Sequence, residues 1–222
     1  MADTIAKLAD AAKTLLTILN WKRLGFLAAT IILGLLTVGF WENRPMIYSS
    51  LSSVKFAEGT IAALSDASKS SIKTIVDRNT NIIALQVVQT DFRNNTRDTV
   101  YFYSEQSELQ REFELFDANK IGSSPLFAAG ETAQNDRLIA IIEQEFVCVD
   151  VPPNIVQMMP SATRFAAQLC SISVPPRHGK MVGYINVWMA KPIDRVHQPY
   201  YKSLARSVSD EIYDRDVLGE GR

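Results

Sequence analysis

The chain has 222 residues, 47% of them hydrophobic and 21% charged, with a formal net charge of -1. This composition suits one globular domain or two small ones and excludes a disordered chain, a collagen-like repeat and a disulfide-dense miniprotein. A mean hydropathy of +0.00 and an isoelectric point near 6.1 exclude a polytopic membrane protein and bulk affinity for nucleic acid.

In residues 1–23, Ile5, Leu8, Ala12, Leu15, Leu16 and Leu19 recur at three- and four-residue spacing, opposite Asp3, Lys7, Asp10, Lys13, Thr17 and Asn20. The pattern predicts a short amphipathic helix. Alone in water a helix of this length is marginal, so it is expected to lie on the lipid bilayer or to pack against copies of itself.

From Leu24 to Trp41 the chain reads LGFLAATIILGLLTVGFW, a run without charge that predicts one transmembrane helix over 24–41. Trp21 and Trp41 flank it at a separation of about 30 Å along a helix, and with Lys22 and Arg23 they form the expected interface residues. The run is longer than a signal-peptide core and ends in Gly39-Phe40-Trp41-Glu42, a poor cleavage site, so a retained anchor is expected. Gly25 and Ala29 are four apart, as are Thr30 and Gly34, with Thr37 nearby; small residues at this spacing let membrane helices approach closely.

Residues 1–23 carry Lys7, Lys13, Lys22 and Arg23 against Asp3 and Asp10, a net +2, while residues 42–222 sum to -3. The positive-inside rule therefore predicts a cytoplasmic N-terminus and an external domain over 42–222, large enough for its own core.

In that domain Val54, Ala57, Ile61, Leu64, Ile72 and Ile75 keep a helical period, with Gly59 a point of interruption. Asn81–Asp91 and Thr99–Ser104 read as strands joined by the polar Asn94–Asp98 segment. Ser107–Asp117 reads as a helix, Ser107 and Gln110 having capping-box spacing. Residues 118–133 read as a loop, Asp136–Glu145 as a helix, Val147–Val151 as a short strand and the Pro152-Pro153 and Met-rich segment as irregular. Gln168–Val174 and Met181–Met189 form a second predicted hairpin. A last helix is expected after Gln198, with Tyr201, Leu204, Ala205, Val208 and Ile212 inward. The fold class is α+β: an antiparallel sheet of four to five strands with packed helices, on one N-terminal transmembrane helix.

Cys148 and Cys170 are the two cysteines, and outside the cytoplasm they are expected to form a disulfide. With His178 and His197 they are too scattered for a zinc site, and no metal or cofactor is expected. The sequence contains no nucleophile elbow, zinc-protease motif, phosphate loop or dinucleotide fingerprint, so no catalytic residue is assigned. Glu112 and Glu114, like Glu143 and Glu145, sit two apart on predicted helices and read as solvated faces.

One span with a small inner segment leaves no room for a cytoplasmic output domain. The expected function is a regulated membrane assembly, an anchored binding subunit of an envelope machine, or a tethered enzyme, which would require a deep pocket with convergent polar groups. The segments Cys170-Ser171-Ile172-Ser173-Val174 and Gly183-Tyr184-Ile185-Asn186-Val187-Trp188, followed by the final helix, resemble the Cys-containing strand, the Gly-x-Ile and Trp strand and the terminal helix of the T-even phage type of holin. The overall layout is similar too. The resemblance implies accumulation in the host inner membrane, homo-oligomerisation, timed lesions that release an endolysin, and an antiholin that binds the periplasmic domain. One departure is that the family's strand cysteine pairs with one in the terminal helix, whereas this terminal helix has none. The alternative is a bitopic envelope subunit whose periplasmic domain binds a partner protein without permeabilising the membrane.

Overall fold

The computed structural model describes residues 29–35, 59–118, 124–144, 146–176 and 181–219. The chain divides into two compact units, Met1–Ile47 and Tyr48–Arg222. In the first, residues 29–35 are helical and contain Ala29, Thr30 and Gly34 of the expected packing face. The expected amphipathic positions Ile5, Leu8, Ala12, Leu15, Leu16 and Leu19, the interface residues Trp21, Lys22, Arg23 and Trp41, and Gly25 and Thr37 lie outside the described residues. Among the described residues no helix is long and apolar enough to cross a membrane.

The second unit is α+β. Its elements in chain order are α1 (Asp66–Arg78), β1 (Ile82–Asp91), β2 (Thr96–Ser104), α2 (Ser107–Ala118), β3 (Ser124–Pro125), α3 (Thr132–Gln144), β4 (Phe146–Asp150), α4 (Pro153–Met158), α5 (Ala162–Phe165), β5 (Gln168–Val174), β6 (Gly183–Met189) and α6 (Gln198–Ile212). A π-helical turn, Tyr213–Val217, continues α6. The strands form one antiparallel sheet in the order β3-β2-β1-β6-β5-β4. Six strands replace the four to five expected, because the two-residue β3 pairs with the start of β2 inside the segment read as a loop.

The β1–β2 hairpin is built by local chemistry. The Asp91 carboxylate accepts the Arg93 and Asn94 backbone N–H groups at 2.9 and 3.1 Å, and Asn95 takes φ 54°, a left-handed conformation that Asn tolerates. Asn95 then holds the next crossing: its Oδ1 accepts the Phe127 N–H and its Nδ2 donates to the Phe127 carbonyl, both at 2.9 Å. That grip is what brings β3 to the sheet edge. Gln110 does not make the capping box expected with Ser107; its Oε1 accepts the Ser104 N–H at 3.0 Å, while Ser104 Oγ accepts from Gln106 N–H at 3.1 Å.

Other boundaries shift as well. The periodic segment around Gly59 becomes helical only at Asp66, capped by Ser65 Oγ, and residues 59–65 are not helical. The segment read as irregular contains α4, which takes Pro153 in its first turn where no N–H is needed, and α5. Glu112 is no solvated face: its Oε2 accepts the Ser161 N–H and Oγ at 3.0 and 2.6 Å, fixing the start of α5.

The strands' two-residue period places alternate side chains on opposite faces. Leu85, Val87, Cys170, Ile172, Ile185 and Val187 point to one face, where α1 and α6 supply Ile72, Val76, Ala205, Val208 and Ile212 to a continuous core. The two helices are tied by Ser71 Oγ to Glu211 at 2.9 Å and by Tyr200 OH to Asn79 at 2.8 Å. Fully burying one such aliphatic side chain stabilises by about 1.5–3 kcal/mol. Cys148 and Cys170 are directly opposite across β4 and β5 and are joined by the expected disulfide, which borders this core. The second face carries two separate apolar clusters. One, under α2, α4 and α5, centres on Trp188, Phe102 and Phe113; the other, under α3, centres on Ile139, Leu126 and Tyr184. What separates them is polar.

Candidate ligand cleft

The gap between the two clusters is crossed by a row of hydrogen-bonded side chains. Ser171 on β5 and Gln86 on β1 both register with Asn186 on the central strand β6. Ser171 Oγ donates to Asn186 Oδ1 at 2.7 Å, Asn186 Nδ2 donates to Gln86 Oε1 at 2.9 Å, and Gln86 Nε2 donates to Thr99 Oγ1 on β2 at 2.9 Å. Each amide is thus used on both its carbonyl and its NH2 side, as burial demands.

Arg137 reaches this row from α3. Its Nη2 donates to Ser171 Oγ at 2.5 Å and to Asn186 Oδ1 at 2.7 Å. The Nε is sealed from solvent and has no hydrogen-bond partner, although the residue as a whole keeps some exposure. Burial pushes the guanidinium below its ordinary range; Tyr184 opposes that effect, and the neighbouring Arg97 adds to it. Arg97 is held by neutral groups, Gln134 Oε1 at 2.8 Å and Tyr184 OH at 3.4 Å. Among the described residues, neither guanidinium has a carboxylate at ion-pair distance.

Above the row lies a cleft of about 740 Å³, floored by Gln86 and Asn186 and lined by Arg97 and Arg137. Phe113, Met159 and Trp188 supply apolar lining. Trp188 is 1% exposed, packs edge-on against Phe102 at 6.0 Å, and leaves its indole Nε1–H buried without an acceptor. Glu131 and Asp150 are exposed lining residues, and Asp98 is half-buried.

The row itself consists of amides, hydroxyls and a guanidinium, groups that can hold a ligand by hydrogen bonds, while the carboxylates belong to the more accessible lining. Ser171 is hydrogen-bonded to Asn186 and Arg137, and among the described residues no imidazole is hydrogen-bonded to it. His197 lies elsewhere: its Nδ1 is 2.7 Å from Asp194 Oδ1 in an exposed turn before α6. His178 is outside the described residues.

Of the residues singled out from sequence, the structure brings Cys148 and Cys170 together, on the sheet face opposite the cleft. The sequence reading passed over Gln86, Arg137, Ser171 and Asn186. A signal was present: Gln86 and Asn186 are each a polar side chain flanked by apolar ones, in ALQVV and YINVW, and Ser171 stands between Cys170 and Ile172. Compared with known proteins, the chain matches no protein-family profile, and no curated protein sequence is significantly similar to it.

Proposed function

We propose that the chain is a single-span holin: a non-enzymatic protein of a host inner membrane that oligomerises there and opens lesions through which an endolysin escapes, under the control of an antiholin on its periplasmic domain. The observation that carries the reading is the pairing of an uncharged, basic-flanked run at 24–41 with a disulfide-bonded α+β unit after it. A disulfide persists in an oxidising compartment, which supports an external position for residues 42–222 and agrees with the +2 charge of residues 1–23. In the helical segment 29–35, Ile31, Ile32, Leu33 and Leu35 are each more than half exposed, the all-round apolar surface that suits lipid contact.

The division of labour follows. The amphipathic segment and the span supply surfaces for assembly, with Gly25, Ala29, Thr30, Gly34 and Thr37 as the close-packing positions. The outer domain supplies a rigid surface for inhibition.

Deletion of residues 2–20 tests this assignment. The shortened protein inserts in the membrane but fails to cause lysis when a cytoplasmic endolysin is co-expressed; unchanged lysis timing contradicts it. The cleft gives the second reading, an anchored subunit that only binds, its specific support. That subunit would leave the membrane intact.

A further inference from the structure

The two sealed groups in the cleft share one chemical property. The Arg137 guanidinium and the Trp188 indole can donate hydrogen bonds and cannot accept them, and both line the same cavity with a buried nitrogen left unpartnered. Buried donors of this kind cost stability unless an acceptor reaches them. The nearby amides and hydroxyls are already committed to one another along the Thr99, Gln86, Asn186 and Ser171 row. No described residue supplies the missing acceptor, which leaves the site open to a ligand.

Charge narrows its identity. Arg97 is close enough to disfavour the charge on Arg137, and neither is ion-paired among the described residues. The more accessible lining adds Asp98, Glu131 and Asp150, which disfavour a polyanion or a doubly charged phosphate. A single negative charge is what the interior lacks. Apolar lining from Phe113, Met159 and Trp188 adds room for a hydrocarbon or aromatic group beside that charge, and the volume is in the range of small-ligand sites.

We propose that the cleft binds a carboxylate borne on an apolar group, the carboxylate oxygens accepting from Arg137 and the apolar part packing toward Trp188 and Phe113. The ligand is either a free small carboxylate or the C-terminal carboxylate of a peptide, which share this chemistry. The row behind Arg137 acts as a positioning device: Ser171 and Asn186 hold Nη2 and so leave the rest of the guanidinium for the ligand. This goes beyond the holin reading and stands independently of it, since it rests on the cleft alone.

The test uses the full chain in a maltoside detergent, titrated calorimetrically with 3-phenylpropionate, its amide and inorganic phosphate. 3-Phenylpropionate is expected to bind saturably, and the amide and phosphate at least roughly tenfold more weakly, the loss expected for a charge-assisted hydrogen bond. Arg137→Lys is expected to weaken 3-phenylpropionate by a similar factor. Should that variant fail to fold, the unaltered protein answers by NMR: the Trp188 indole N–H resonance shifts with the carboxylate while those of Trp21 and Trp41 do not. A pentapeptide ending in phenylalanine, free or amidated, separates the two sources. Tighter binding of the free peptide than of 3-phenylpropionate supports the proposal with a chain terminus as ligand, and weaker binding supports it with a small carboxylate. Equal binding of acid and amide, preference for phosphate, or an unmoved Trp188 resonance at saturating carboxylate overturns it.

Discussion

Arg137 Nη2 lies 2.7 Å from Asn186 Oδ1, joining α3 to the central strand of the sheet through a charge-assisted hydrogen bond. Because Asn186 also donates to Gln86 and accepts from Ser171, this one amide links β5, β6 and β1 to the helix above them. Asn186→Leu removes three polar contacts and leaves the buried guanidinium with Ser171 as its one remaining hydrogen-bond partner among the described residues. The variant is expected to lose roughly 3–5 kcal/mol, the cost of breaking a buried charged network. Thermal melting of the purified protein checks this, and an unchanged midpoint contradicts it.

Gly183 begins β6 where β1 passes too close for any side chain. A Cβ there would sit 2.2 Å from the Val88 carbonyl oxygen and 2.7 Å from Ile61 Cδ1. The Ile61 methyl can move, but the carbonyl belongs to the neighbouring strand and cannot yield without opening the β1–β6 ladder. Gly183→Ala is therefore expected to destabilise by about 3 kcal/mol or more, above ordinary overpacking, as read by the thermal midpoint. Gly130→Ala is the contrasting control: φ there is 83°, but nothing lies within 4 Å of the added Cβ, so only the backbone cost remains.

The Cys148–Cys170 bond closes a sequence separation of 22 residues. In the chain-entropy account a loop of this size contributes about 3 kcal/mol. The double variant Cys148→Ser, Cys170→Ser is expected to melt roughly 6–12 °C lower, and a reducing agent should lower the unaltered protein to the same point while leaving the variant unchanged. Identical midpoints in oxidised and reduced protein contradict this.

Strands β1 and β5 and helix α6 were legible in the sequence because their cores are local patterns: β-branched runs in the first two, and a 3.6-residue period in the third. The cleft was hidden for a physical reason. A polar Gln86, Ser171 or Asn186 within a strand reads equally well as a solvent-facing position, since antiparallel sheets commonly leave one face wet. Only the helices laid across the second face turn those positions inward, and that packing is long-range. Arg137 gave no signal at all, being one charged residue in a moderately amphipathic helix. β3 has two residues and no period at all, and exists because Asn95 grips Phe127 across the hairpin end.

Acid should unlock the β1–β2 turn. Hydrogen bonds from the Asn94 backbone lead the effects that hold the Asp91 carboxyl below its usual value of 3.8, against a smaller desolvation effect. A carboxyl lowered in the folded state contributes stability that is present above its unfolded pKa and is lost as pH falls through the folded one. Asp91→Ala is thus expected to lower the melting point at pH 7 by the worth of a screened turn contact, about 0.5–1 kcal/mol, with the difference shrinking below about pH 4. A difference that is constant from pH 7 to pH 2 contradicts the assignment.

The reading of the whole chain turns on whether it opens membranes. The most direct measurement is the membrane potential of bacteria expressing the protein alone, followed with a potential-sensitive dye after induction. The holin assignment predicts a delayed, abrupt and complete collapse that does not require an endolysin. A potential that persists, while the protein accumulates in the inner membrane, would contradict it and leave an anchored binding subunit.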